Sequence, residues 1–139
     1  MGVEMRHVCV SAGEGRFQIT LEAVVTDGEG LSCFLYGGTL PHVGGAVLAV
    51  PGPTLHGKQL SRVDVWSMTV PGHKDAEAAQ QVARKIVIAT QQSASVTCGV
   101  HVDNATGEEL SILGKNIDAA TDALIAQLRD GDEVGGQQR

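Results

Sequence analysis

Two short polar junctions hold most of the residues in this chain that could do chemistry: Pro71-Gly72-His73-Lys74-Asp75 and His101-Val102-Asp103-Asn104-Ala105-Thr106. Each follows a strand-like run and opens a helix-like run. In a β-α-β unit the strands run parallel and the crossover is nearly always right-handed, so both junctions are expected on the carboxyl-terminal edge of one sheet, where open α/β sheets bind ligands. Two histidines, a lysine, two aspartates and an asparagine then converge on one rim. Helix amino-termini beside them suit a phosphate or a carboxylate.

At the first junction Gly72 permits a sharp turn, and His73 and Lys74 lie where free helix amides point outward. Asp75 reads as the helix N-cap, so a plainly capped surface helix is the competing account. The order Gly-His-Lys is not GxxxxGK[ST], and nucleoside triphosphate hydrolysis is unsupported. At the second junction period two places His101 and Asp103 on one face. The alternative is an Asx turn at Asp103 or Asn104 that steers the chain toward Thr106, with His101 as a packing residue. A third element, Tyr36-Gly37-Gly38-Thr39-Leu40-Pro41-His42-Val43-Gly44-Gly45-Ala46, is a glycine-rich loop. Its backbone could approach a ligand closely or simply form a wide turn. It lacks the GxGxxG order, which rejects a dinucleotide fingerprint.

His42, His73 and His101 show neither HxH nor HxxxH spacing, so a metal site would need three separate loops, and no metal is expected. Cys98 and His101 fall on opposite faces of a strand, and Cys98 shares its face with Val96 and Val100. It reads as a buried structural thiol. No GxSxG elbow marks a serine nucleophile. No residue is assigned a catalytic role.

These residues must be positioned by the elements around them. Residues 4–11 read as a first strand, Ala12-Gly13-Glu14-Gly15 as a turn, and Phe17, Ile19, Leu21, Ala23 and Val25 as a strictly alternating second strand. A third strand covers 31–36 and a buried run covers 44–50, stopped by Pro51-Gly52-Pro53. A polar loop through Lys58 leads to a fifth strand ended by Pro71. From Asp75 the period becomes helical, with Ala79, Val82, Ala83, Ile86 and Thr90 on one face. Residues 95–102 form a sixth strand. Thr106-Gly107-Glu108-Glu109 is a capping box opening a helix to about 129, with Gly114 read as a point of bending. Residues 130–139 read as a flexible tail. The order is βββββαβα: a single α/β (α+β) domain over 1–129, with a mixed sheet of about six strands and two main helices.

Composition narrows the function. The 139 residues are 42% hydrophobic and 19% charged, ordinary for one soluble domain. A net charge of -6 without a basic cluster argues against nucleic acid. No apolar run reaches membrane-spanning length, and the first residues lack a basic segment followed by an apolar one. The expected compartment is the cytoplasm. Three widely spaced cysteines suit reduced thiols better than a disulfide framework. The four aromatics, Phe17, Phe34, Tyr36 and Trp66, leave few rings for stacking on a flat ligand. Together with the run Gly44 to Val50, this scarcity suggests that sheet or helix surface is completed by a second copy, as in a homodimer.

The segments YGGTLPHVGGAVLAV, PGHKDAEAAQQVARKI and CGVHVDNATGEEL together resemble the LpdD-like family of prenylated flavin chaperones, over roughly residues 5–128. Gly45 after Gly44 departs from the single glycine expected there. The resemblance implies a fold similar to proteasome-assembly chaperones. It also implies a non-catalytic accessory role beside the catalytic subunit of a UbiD-type decarboxylase, with prenylated flavin mononucleotide, or flavin mononucleotide itself, as the ligand. The positions carried over as cofactor-binding candidates are Gly37, Gly38, His42, His73, Lys74, His101, Asp103 and Asn104. Lys74, His73 and the helix start would take the phosphate. His101, Asp103 and Asn104 would take the ribityl chain or ring edge, and Tyr36 and Trp66 would cover the ring.

Overall fold

The structure, a computed structural model, describes residues 5–59 and 62–137. Strands β1 (Arg6–Ala12) and β2 (Ile19–Val25) flank a 3-10 turn at Gly15–Phe17, and β3 (Leu31–Gly38) and β4 (Gly45–Pro51) follow. A small hairpin of β5 (Thr54–Leu55) and β6 (Lys58–Gln59) precedes β7 (Val63–Thr69), helix α1 (Asp75–Thr90), β8 (Ala94–His101) and helix α2 (Gly107–Gln137). Six strands form one mixed sheet in the order β1-β2-β3-β8-β4-β7, in which β3 and β8 pair in parallel and the other neighbours are antiparallel.

The periodicities set which face is buried. In β2, Ile19, Leu21, Ala23 and Val25 are buried and the residues between them are not. In α1, Ala79, Val82, Ala83, Ile86 and Val87 recur at helical spacing and pack on β4, β7 and β8. Helix α2 covers β1 and β2 and inserts Leu124 and Leu128 into the same core. Each fully buried large aliphatic contributes roughly 1.5–3 kcal/mol relative to exposure. Both helices lie on one face of the sheet. On the other face Leu48, Trp66 and Met68 are exposed, with Leu48 directly opposite Trp66 and Ala46 opposite Met68.

Two elements differ from the sequence reading. The segment read as a polar loop contains the β5–β6 hairpin, closed by His56 at φ 52° and Gly57 at φ 76°. Two residues with positive φ suit a tight hairpin, but arms of two residues each are too short to register as alternation. Helix α2 runs through Gln137, past residue 129, and continues across Gly114. Glycine costs a helix up to about 1 kcal/mol relative to alanine and does not stop it as proline does.

The sheet gathers the polar junctions as expected. Gly38, at the end of β3, is in register with His101, at the end of β8, while Gly45, at the start of β4, faces Cys98 on one side and Thr69, at the end of β7, on the other. The loop 39–44, the β7–α1 junction and the β8–α2 junction therefore share one edge.

Candidate functional site

Asp75 organises this edge, in a way that differs from its reading as an N-cap. Lys74 occupies the cap position without a side-chain cap bond, and Asp75 is the first helical residue, only 9% exposed. Its Oδ1 accepts the backbone N–H of Val100 at 2.9 Å, which ties α1 to β8. Its Oδ2 lies 2.9 Å from Nε2 of His42 and 3.5 Å from Nδ1 of His73. A carboxylate leaving water needs such partners, since an unpaired buried charge is strongly disfavoured.

His42 reaches Asp75 from the glycine-rich loop. Its Nδ1–H donates to the Leu40 carbonyl at 2.8 Å, and its Nε2 sits 3.2 Å from Nδ1 of His73. The Leu40 carbonyl raises the His42 pKa most; burial opposes this, and the Asp75 carboxylate adds to the rise. Gly44 makes the approach possible, because a Cβ there would overlap Oδ2 of Asp75 and crowd Nε2 of His42. The Gly44-Gly45 pair thus has a local reason: a Cβ at either position would press on the first residues of α1.

The second junction is built differently. His101 Nε2 and Asp103 Oδ1 are 2.9 Å apart and exposed, but β8 ends at His101 and Asp103 lies in the turn beyond it, so the turn and not a shared strand face brings them together. Thr39 stitches the two loops together: its N–H donates to the His101 carbonyl at 2.6 Å, and its hydroxyl accepts the Asp103 N–H at 3.2 Å. Gly38, at φ 83°, lies against the His101 carbonyl, so its lack of a side chain serves this contact. Asn104 has φ 53°, a left-handed turn conformation that asparagine tolerates well.

Between α1 and α2 this edge opens into a groove of ≈ 500 Å³. Lys74, Glu77 and Gln81 line it from α1 and Leu110, Leu113 and Ile117 from α2, with His42, His73, Asp75 and His101 at its rim. The structure therefore brings together His42, His73, Lys74 and His101, with Asp103 alongside His101. Gly37 and Gly38 end β3 behind them, and Asn104 shapes the turn. Tyr36 and Trp66 belong elsewhere: Tyr36 packs against Phe34 in a tilted arrangement with ring centroids 4.8 Å apart, and Trp66 stands on the sheet face opposite α1 and α2. Neither can cover a ring lying in the α1–α2 groove. A second hollow of ≈ 490 Å³ lies on that uncovered face, with Cys9, Glu22, Phe34, Val43 and Thr97 in its lining.

Nucleophilic chemistry has little support at the two buried thiols, Cys33 and Cys98. Burial pushes both Cys33 and Cys98 up to about 12, so neither carries appreciable thiolate at neutral pH. Cys98 stays on the core side of β8, as its neighbours implied.

A family model described as the prenylated flavin chaperone LpdD-like domain matches residues 13–129. The chain belongs to the LpdD-like family. The match takes in every residue of the rim described above. Among solved structures, a chain from a chaperone complex for yeast 20S proteasome assembly is similar to this LpdD-like domain with a TM-score of 0.57, over 94% of this chain and 98% of that chain. Sequence identity is 14%, so the likeness is one of fold. The LpdD-like domain thus has the mixed-sheet, two-helix fold that its sequence resemblance implied. No curated protein matches the chain. Among the described residues no helix is long and apolar enough to cross a membrane.

Proposed function

We propose that this LpdD-like protein is a non-catalytic chaperone that binds prenylated flavin mononucleotide and passes it to the catalytic subunit of a UbiD-type decarboxylase in the cytoplasm. The family match over residues 13–129 carries this reading. The α1–α2 groove supports it, because ≈ 500 Å³ falls within the roughly 300–1,000 Å³ usual for small-molecule sites. In this reading Lys74 and His73 hold the phosphate at the start of α1, and Leu110, Leu113 and Ile117 offer the ring an apolar wall. His101 and Asp103 bond the ribityl hydroxyls, while Gly37, Gly38, His42 and Asn104 shape the edge. A carrier must also release its cargo, and a groove open to solvent suits modest affinity. The working unit is a homodimer, a reading supported by the apolar side chains on the uncovered sheet face.

Reconstitution tests the proposal. Apo decarboxylase is mixed with prenylated flavin mononucleotide, with and without this protein, and the fraction that becomes active is measured. The protein should raise that fraction while decarboxylating no phenolic acid on its own. His101→Ala and Asp103→Asn should lower the gain with native circular dichroism. A gain that both variants retain points instead to an assembly module acting on the decarboxylase subunit, and turnover by the purified chain alone points to an enzyme.

A further inference from the structure

We propose that His42, His73 and Asp75 form a binding site for one divalent first-row transition-metal ion, best matched to zinc, with its open position toward the α1–α2 groove. The three donor atoms, His42 Nε2, His73 Nδ1 and Asp75 Oδ2, all lie within 4.8 Å of one another. Their separations are 3.2, 2.9 and 3.5 Å. Nitrogen and oxygen donors about 2.0–2.1 Å from a tetrahedral zinc ion stand roughly 3.3 Å apart, so the trio already has nearly the spacing such an ion imposes.

Hydrogen bonding around the donors fits the same role. A metal-bound histidine usually donates its other ring N–H to a carbonyl or carboxylate, and a ligating carboxylate is itself held by a donor. His42 Nδ1–H is committed to the Leu40 carbonyl, and Asp75 Oδ1 accepts from Val100. With Nδ1 so committed, Nε2 of neutral His42 directs a lone pair at the carboxylate oxygen 2.9 Å away. Only a cation between the two, a proton or a metal ion, makes that approach favourable. His73 supplies a third donor beside the pair, which a shared proton does not need and a metal ion does. Two imidazoles and a carboxylate suit zinc and its first-row neighbours better than magnesium or calcium. Three protein ligands leave a position for water or for an anionic oxygen of a molecule in the groove. Sequence spacing hides the site, because each ligand comes from a different place: the 39–44 loop, the β7–α1 junction and the first turn of α1.

Chelator-treated protein titrated with zinc chloride by calorimetry tests this, with cobalt(II) absorption as the readout of geometry. One ion per chain should bind, and the cobalt form should show the intense visible bands of a four-coordinate ion. Loss of groups outside the coordination sphere costs about 10–100-fold in metal affinity, so His73→Ala, at a half-exposed position, should weaken binding at least ~100-fold and abolish the cobalt bands. Asp75→Asn, which keeps the side-chain shape, should weaken binding too, while His7→Ala on β1 should not. Wild type that binds zinc no more tightly than His73→Ala, or His73→Ala and Asp75→Asn variants that retain the cobalt spectrum, would overturn the site. Flavin titration of the chelated protein is a separate measurement, so failure of the metal site and failure of the flavin reading are distinguishable.

Discussion

Asp75, His42 and Val100 tie three segments of the molecule through one carboxylate, and this depends on backbone passing very close by. Gly99 is the tightest point, since a Cβ there would collide with the His42 carbonyl, a backbone atom that cannot swing aside. Gly99→Ala should therefore destabilise the fold by about 3 kcal/mol or more, as overpacking at a rigid contact does, measured by urea denaturation. Lys74 is exposed at the mouth of the groove. Lys74→Ala should weaken flavin mononucleotide binding by about 1.5–3 kcal/mol in calorimetry, the worth of one charge-assisted contact, and equal affinities would remove Lys74 from the site. Cys33 gives a pH prediction. Its folded thiol is raised to about 12 from 9.0, so the folded state holds its proton longer than the unfolded chain. That contribution is fully present below pH 9 and is lost as pH rises toward 12, by up to about 1.4 kcal/mol per pH unit. Cys33→Ala should show a shallower alkaline fall in denaturation midpoint than wild type. At this scale the histidines and Lys74 were legible as residue types crowded at strand ends. Asp75 was not, because an aspartate at a helix start has the same sequence signature whether it caps the helix or turns inward to bind a neighbour.

The start of α2 is the clearest local device in the chain. Thr106 Oγ1 accepts the Glu109 N–H and Glu109 Oε1 accepts the Thr106 N–H, both at 3.1 Å, as the Thr-Gly-Glu-Glu order implied. That backbone bond, joined by the Arg16 guanidinium, holds the Glu109 carboxyl below its ordinary range. Arg16 also ties the 3-10 turn to α2 through its ion pair with Glu109. Thr106→Ala removes the cap and should cost about 1 kcal/mol in urea denaturation without changing the helical circular dichroism of the folded protein. A Thr106→Ser variant should restore most of it. Elements long enough to show a period were legible: α1 spans Asp75–Thr90, where its apolar face begins and ends, and β2 follows its alternation. Strand order was not. The insertion of β8 between β3 and β4 depends on the crossover through α1, which the burial pattern of any single strand does not encode.

At the scale of the whole molecule the unexplained feature is a sheet whose described helices, α1 and α2, lie on one side. Leu48, Trp66 and Met68 stand together on β4 and β7, 46%, 59% and 75% exposed, with Val43 at 60% on the loop leading into β4. Monomeric soluble proteins rarely leave contiguous apolar surface of this kind open, and a sheet face rich in small and aliphatic residues can pack against its own copy about a two-fold axis. This offers a specific surface for the homodimer expected from the few aromatics and the run Gly44 to Val50. The face lies opposite the α1–α2 groove, so two copies could pair through their sheets and leave both grooves open to a flavin. Met68→Glu and Trp66→Glu each place a charge where a second sheet would exclude water. Neither disturbs the described core, because both side chains point away from the helices. Sedimentation should show wild type as a dimer and each variant as a monomer with unchanged circular dichroism and unchanged flavin affinity. Wild type sedimenting as a monomer over the accessible concentration range, or variants that remain dimeric, would place the second copy on another surface or remove it.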